Sequence, residues 1–128
     1  MPGDPRRTLG SLGEDHAAAH LSRAGYRILD RNFRTRYGEI DLVACDERHL
    51  VFCEVKTRRA GGSRGPAGPL DAIGVTKRRK LRVMAAQWLK ARPCDTRPYA
   101  ESMRFDAIGI LIDPRGRLVA LEHLEGAF

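Results

Sequence analysis

The chain is 128 residues long, with 42% hydrophobic and 30% charged residues, a composition typical of a globular protein with one core. Its 23 Lys and Arg against 16 Asp and Glu give a net charge of +7, which favours an anionic partner such as nucleic acid; an arginine-rich composition can also reflect a GC-rich genome. No apolar run is long enough to cross a membrane, the first ten residues lack the apolar core of a signal peptide, and the three cysteines form no CxxC pair. We therefore expect a cytoplasmic protein with reduced thiols and no membrane partner.

The first predicted element is a helix. Residues 1–7 are polar and contain two prolines, so residues 1–9 are expected to form a flexible tail and residues 10–128 a single domain. The helix should run from about Ser11 to Ala24 and stop at Gly25. Its inward stripe would consist of Glu14, Ala17, Ala18 and Leu21. Glu14 has two interpretations, because it could face the sheet or complete a capping box with Ser11.

A strand is predicted from Tyr26 to Arg34, and the stretch from Gly38 to Lys56 predicts a β-hairpin with a polar turn. The arginines of the first strand, together with Arg36, could flank a path for phosphates, although a solvated sheet edge explains them equally well. Both strands of the hairpin are apolar on both faces, which predicts a sheet that is covered on both sides.

Three charged residues interrupt these apolar strands: Asp41, Glu54 and Lys56. If the hairpin closes on Asp46 and Glu47, Asp41 faces Phe52 and lies diagonal to Glu54 on the same face, about 7–8 Å away along the backbone. Two buried carboxylates would repel each other and lose hydration, unless a cation lies between them. Hard oxygen ligands suit Mg²⁺ or Mn²⁺. The alternative is a buried salt-bridged network without catalysis.

The Gly- and Pro-rich residues 60–69 predict a loop beside this site, which either closes over a substrate or simply connects. A second helix should run from about Thr76 to Arg92, with Trp88 in the core. Four cations occupy its first turn, where the helix dipole disfavours positive charge: Lys77, Arg78, Arg79 and Lys80. We favour phosphate contact there over a solvated charge run.

Two further strands are predicted, over residues 103–112 and 118–124. Asp106 interrupts the first of them and is expected to pair with a neighbouring arginine rather than to join the site. The order of helix, three strands, helix and two strands predicts an α/β fold with a mixed β-sheet flanked by helices.

An Asp followed by Glu-x-Lys on the next strand resembles the active-site motif of the PD-(D/E)xK nuclease superfamily. The longer strings GEIDLVA, from Gly38, and VFCEVKTR, from Val51, resemble the YraN-like (UPF0102) family of uncharacterised bacterial proteins, which is similar to archaeal Holliday junction resolvases. Gly13-Glu14 and Arg104-Phe105-Asp106 extend the resemblance over most of the chain.

The resemblance implies a restriction-endonuclease-like fold and Mg²⁺- or Mn²⁺-dependent hydrolysis of phosphodiesters in DNA. Asp41, Glu54, Glu14 and the main-chain carbonyl of Val55 would hold the metal, and Lys56 would orient water or stabilise charge on the phosphoryl oxygens. Candidate contacts to the nucleic-acid backbone are Arg36, Arg58, Lys77 and Arg78, although relatives often carry Gln at the position of Arg78. Because similar resolvases cut two strands symmetrically, a homodimer is expected.

Three classes of function follow. The first is a metal-dependent, structure-selective endonuclease, and the second is a nucleic-acid-binding protein that keeps the nuclease fold without turnover. The third is a basic scaffold that contacts other proteins. Such a scaffold would fail to bind DNA at any salt concentration. The intact carboxylates and Lys56 favour the first over the second.

Overall fold

The structure is a computed structural model that describes residues 8–60, 75–92 and 100–128, with only the backbone described for residues 75–78. Residues 1–7 of the predicted tail, residues 61–69 of the predicted loop and Cys94 lie outside the described residues. The elements are α1 (Leu9–Arg23), β1 (Arg27–Thr35), β2 (Gly38–Cys45), β3 (His49–Arg59), α2 (Val75–Ala91), β4 (Ser102–Ile112) and β5 (Leu118–Leu124).

The five strands form one sheet in the order β1-β2-β3-β4-β5. Neighbouring strands are antiparallel except β3 and β4, which are parallel and are joined by the crossover that contains α2. This arrangement confirms the predicted α/β class and the mixed sheet, and it is consistent with a restriction-endonuclease-like domain. Of the described helices, none is long and apolar enough to cross a membrane.

The sheet is covered on both faces, as the two-sided apolar strands predicted. Under α2, the buried cluster includes Phe52, Trp88 and Phe105, and the Phe52 and Trp88 rings meet edge to face with centroids 5.7 Å apart. Trp88 therefore lies in the core, with its Nε1 donating to Asp30 Oδ2 at 3.0 Å. Under α1, a second cluster includes Leu21 and Ile108. Burying each such side chain contributes about 1.5–3 kcal/mol.

Helix α1 starts earlier than predicted. Thr8 is the N-cap, and its side chain accepts a hydrogen bond from the Ser11 N–H at 3.1 Å. The capping-box interpretation of Ser11 and Glu14 is therefore wrong, because Ser11 already lies inside the helix. Gly13 brings α1 close to β3, since a Cβ at this position would overlap the side chain of Thr57. The half-buried Glu14 is thereby held beside the sheet.

The β2–β3 hairpin closes one residue later than predicted, so each residue of β2 pairs with a residue two positions further along β3. Its paired residues run from Leu42–Cys53 to Cys45–Leu50, so the prediction that Asp41 faces Phe52 is wrong. The cause is the Asp46 side chain, whose Oδ1 accepts the backbone N–H groups of both Arg48 and His49, at 2.8 and 2.6 Å. This cap makes Asp46 the first residue of the turn. The regular pairing ends at Leu42–Cys53, one residue short of Asp41, and the Asp41 side chain instead accepts the Val55 N–H.

A polar network is buried between α1 and the β4–β5 pair. Asp106 is fully buried, and its carboxylate accepts two hydrogen bonds from Arg104 at 2.9 Å and one from the Gly126 N–H at 3.0 Å. The predicted pairing with an arginine is therefore confirmed. His123 Nε2 lies 2.8 Å from the same carboxylate, and His123 Nδ1 lies 3.0 Å from His20 Nε2. Burial favours a high pKa for Asp106, but the hydrogen bonds from His123, Arg104 and Gly126 outweigh it and lower the pKa.

We expect mild acid to weaken the contact between α1 and β5 through His20. Burial lowers the pKa of His20 from 6.5, and His123 and Arg23 lower it further, so the unfolded chain binds the proton first. Neutral His20 therefore stabilises the folded protein above pH 6.5, and this stabilisation is lost as the pH falls from 6.5 through the lowered pKa of the folded state. The stability advantage of wild type over His20→Gln should therefore shrink between about pH 7 and about pH 5 in urea titrations. A constant difference between the two proteins would contradict this prediction.

Candidate metal centre

The alternation of the sheet breaks at Asp41. Ile40 packs in the cluster under α2 and Leu42 in the cluster under α1, although residues two apart on a strand normally share a face. On β1, Asn32 lies between the pairs Arg31–Leu42 and Phe33–Ile40 and therefore beside Asp41. Asn32 has φ 55°, in the left-handed region that Asn tolerates better than most residues. Two irregular residues on neighbouring strands thus lie side by side.

Three carboxylates meet at this break. Glu14 of α1 and Glu39 and Asp41 of β2 each offer an oxygen atom, and these atoms lie within 4.8 Å of one another. A backbone donor fixes one of the three, since Asp41 Oδ2 accepts the Val55 N–H at 2.7 Å. Glu14 hydrogen-bonds to the Asn32 side chain. Neighbours on two strands, Val55 on β3 and Asn32 on β1, therefore orient two of the three carboxylates.

Like charges and burial make the fully ionised cluster unfavourable. Burial raises the pKa of Asp41 to about 7, the charges of Glu14, Glu54 and Glu39 add to that rise, and the Val55 N–H opposes it. Burial also raises the pKa of Glu14, with a further contribution from Glu39. A divalent cation at this position would remove both penalties, because it neutralises charge without requiring a proton.

The Glu-x-Lys pair lies on β3, next to this cluster. Glu54 is 9% exposed, and Lys56 Nζ lies 3.9 Å from Glu54 Oε1. By the alternation of β3, both side chains belong to the face of Phe52, as predicted. The 4.8 Å group does not include Glu54, although its charge is close enough to raise the pKa of Asp41. The structure therefore brings Glu14 and Asp41 into one cluster and places Glu54 and Lys56 beside it.

Sequence reasoning missed Glu39. The residue is exposed, and Arg34 Nε lies 3.3 Å from its Oε2, so it has the appearance of an ordinary surface ion pair. A signal was present, because Glu39 precedes Asp41 by two residues, and two residues is the side-chain period of a strand.

The predicted nucleic-acid contacts occupy different elements. Arg36 lies in the turn between β1 and β2, and Arg58 lies near the end of β3; both are exposed. Lys77 and Arg78 lie in the first turn of α2, as predicted, but their side chains are outside the described part of the chain.

The donor set suits a hard divalent cation. Mg²⁺ and Mn²⁺ prefer carboxylate and carbonyl oxygens, and the cluster supplies three carboxylates with Glu54 and the Val55 main chain adjacent. No described histidine or cysteine belongs to the group, which argues against a zinc site of the structural kind.

The comparisons with known proteins agree with the resemblance to the UPF0102 family. The model of an uncharacterised protein family, UPF0102, matches residues 13–110. A UPF0102 protein of Rhodococcus jostii is 43% identical over 94% of this chain and 95% of its own length. A UPF0102 protein of Frankia casuarinae is 46% identical over the same shares, and one of Mycobacterium bovis is 42% identical over 94% of this chain and 92% of its own length.

We expect Asn32→Gly to be more stable than Asn32→Ala, by about 1 kcal/mol. Both substitutions remove the hydrogen bond to Glu14, but alanine is strained at φ 55° and glycine is not. The pair therefore isolates the backbone conformation. The free energies of unfolding of the metal-free variants, measured in urea, provide the test; an alanine variant as stable as the glycine variant would contradict the strain argument.

We expect Asp41→Asn to stabilise the metal-free protein at alkaline pH. Folding raises the pKa of the Asp41 carboxyl from 3.8 to about 7. The ionised carboxylate therefore destabilises the folded protein fully above pH about 7, and the protonated carboxyl does not destabilise it below pH 3.8. Asparagine keeps an oxygen for the Val55 N–H, so the variant should gain a few kcal/mol at about pH 8, at about 1.4 kcal/mol per pKa unit. Its advantage over wild type should decline towards about pH 5 in denaturation experiments with a chelator. If wild type were more stable than Asp41→Asn at about pH 8, this prediction would be wrong.

Proposed function

The chain belongs to the uncharacterised protein family UPF0102, and we propose that it is a divalent-metal-dependent endonuclease that hydrolyses phosphodiester bonds in DNA. The observation that carries the proposal is the cluster of Glu14, Glu39 and Asp41, assembled at a break in the sheet with the pKa of Asp41 raised to about 7. Strongly shifted carboxylates that converge on one point are typical of functional sites, because they cost stability.

Asp41 and Glu14 would hold Mg²⁺ or Mn²⁺, with Glu54 and the Val55 carbonyl as further ligands and Glu39 as an additional neighbour. When bound, such an ion lowers the pKa of a coordinated water and polarises the phosphate. The Val55 N–H holds the Asp41 carboxylate in one orientation without a metal ion, so this side chain would lose less conformational entropy when a metal binds.

Lys56 supplies the positive charge next to the carboxylates. Its side chain is 41% exposed and lies beside Glu54, which keeps the ammonium at the edge of the site. In the proposed reaction it orients the attacking water or stabilises the negative charge that develops on the phosphoryl oxygens. The exposed Arg58, three residues after Val55 on β3, would contact the nucleic-acid backbone together with Arg36, Lys77 and Arg78. Such contacts position a substrate without reading its sequence.

A preference for branched DNA and a homodimeric state remain predictions from the resemblance to resolvases, and so does a cytoplasmic location. The second candidate is a nucleic-acid-binding protein without turnover, and the test below separates it from the nuclease.

The decisive experiment is cleavage of labelled single-stranded, duplex, flap and four-way-junction DNA with Mg²⁺ or Mn²⁺. We expect wild type to cut at least one substrate and a chelator to stop it. Asp41→Asn and Glu54→Gln should each reduce the rate by a factor of about 100 or more, because each removes a charge from the site. Glu101→Gln, which changes an exposed carboxylate outside the cluster, should cut like wild type.

Two results would overturn the proposal. Cutting that survives in Asp41→Asn and Glu54→Gln would come from a contaminant or another site. Salt-sensitive binding with no cutting of any substrate would instead support the binding protein, because contacts to phosphates weaken as salt rises.

A further inference from the structure

An exposed tyrosine lies at the tip of the β1–β2 hairpin. Tyr37 is 37% exposed, whereas the other large exposed hydrophobic residues of the described chain are aliphatic: Val83, Met103, Leu118 and Val119. Tyr37 lies in a tight turn and is not a member of either core cluster. Exposed aromatic residues are enriched at binding surfaces.

The backbone beneath Tyr37 is held firmly. Thr35 Oγ1 accepts the Tyr37 N–H at 3.0 Å and donates to the Gly38 carbonyl at 3.2 Å. Gly38 has φ 135°, a conformation that other residues rarely adopt. The Met84 side chain of α2 lies 3.9 Å from the position of a Gly38 Cβ, so α2 packs beside the turn. The turn therefore presents Tyr37 in a fixed position.

Arg36 supports the tyrosine ring. Its guanidinium carbon lies 4.9 Å from the ring centroid, and Nη2 donates to the Tyr37 hydroxyl at 2.6 Å. Arg34, whose side chain is 83% exposed, adds a second cation to the same hairpin. A flat aromatic surface with cations beside it matches the two parts of a nucleotide, because bases stack on aromatic rings and phosphates pair with guanidinium groups.

The tip is connected rigidly to the carboxylate cluster. Glu39 follows Tyr37 by two residues and Asp41 by four along β2. At about 3.4 Å per strand residue, Tyr37 and Asp41 are about 14 Å apart along the backbone, a distance that a few nucleotides of one strand can span.

We infer that Tyr37, supported by Arg36, is a stacking platform for an unpaired nucleobase of a strand that also reaches the carboxylate cluster. The inference deepens the proposed function and rests on it for the link to cleavage, but base binding can be measured without cutting. Bases inside a duplex already stack on each other, so the platform favours strands with free bases, such as single strands and flaps. It supplies a physical basis for selection of DNA structure rather than sequence.

The test measures binding in an Asp41→Asn background with a chelator, so that no substrate is cut. Labelled single-stranded and flap DNA are compared with a blunt duplex of equal length by fluorescence anisotropy. Tyr37→Leu should weaken binding of the single strand and the flap about tenfold, since stacking contributes about 1–3 kcal/mol per base, and should leave duplex binding within about twofold. Tyr37→Phe keeps the ring and should bind like the parent, as should the control Val119→Ser at an exposed apolar site.

A single strand that carries the fluorescent base 2-aminopurine gives a direct readout. Stacking on Tyr37 should quench its fluorescence in the parent and in Tyr37→Phe, but not in Tyr37→Leu. Unchanged affinity in Tyr37→Leu, or an equal loss for duplex and single strand, would overturn the inference. An effect of Tyr37→Leu on binding, with no cutting by wild type, would retain the platform and reject the nuclease. Cutting by wild type with no effect of Tyr37→Leu would do the reverse.

Discussion

Burial on both faces of the central sheet determines where a charged site can lie in this fold. The residues Leu42 to Ala44 of β2 and Val51 to Cys53 of β3 are fully buried between α1 and α2. A carboxylate at any of these positions would lose its hydration, at a cost of several kcal/mol unless it found a charged or hydrogen-bonding partner. The break in alternation between Ile40 and Leu42 allows Asp41 to leave the core and meet Glu14 and Glu39. The left-handed Asn32 lies beside this break and hydrogen-bonds to Glu14. The backbone irregularity at Asp41 and Asn32 and the cluster of carboxylates therefore occur at the same point of the sheet.

The two interior aspartates show what distinguishes a structural carboxylate from the candidate centre. Asp106 has no exposed surface, yet its pKa is lowered, because Arg104, His123 and the Gly126 N–H all bond to it. The ionisable groups that shift the pKa of Asp41 are carboxylates, and they raise it. Such an arrangement does not stabilise the folded state, whereas the hydrogen bonds around Asp106 show that the same chain can stabilise a buried carboxylate. The cost at Asp41 is consistent with a ligand that repays it, and a divalent cation is the simplest such ligand.

Local signals predicted most of the fold. The bounds of α2, β4 and β5 differ from the expected ones by at most one residue, because periodic apolar runs and turn residues determine such elements. The predictions of the N-cap and of the hairpin register were wrong for a related reason. Each feature depends on the hydrogen bonds of one side chain, Thr8 or Asp46, and nearby residues offer equally plausible alternatives. Glu39 was missed because its contribution depends on α1 packing against β2, a tertiary contact that Gly13 permits through its approach to Thr57. The two-residue spacing relates Glu39 to Asp41, but a contact between distant elements such as α1 and β2 leaves no periodic pattern in the sequence.

The distribution of charge links the two proposals. The chain carries a net charge of +7, but its candidate centre is the place where Glu14, Glu39 and Asp41 concentrate negative charge. A phosphate that approached these carboxylates without a cation would be repelled, whereas Arg34 and Arg36 on the adjacent hairpin attract it. In the proposed enzyme, the hairpin would therefore bind a strand with or without metal, and the centre would accept a phosphate only after a metal ion had neutralised its carboxylates. Since β2 joins Tyr37 to Asp41 without an intervening loop, a base stacked at the tip and a phosphate at the centre would be held at a spacing set by strand geometry. In the proposed enzyme, binding thus depends on the cations of the β1–β2 hairpin and cleavage on the carboxylates of the centre.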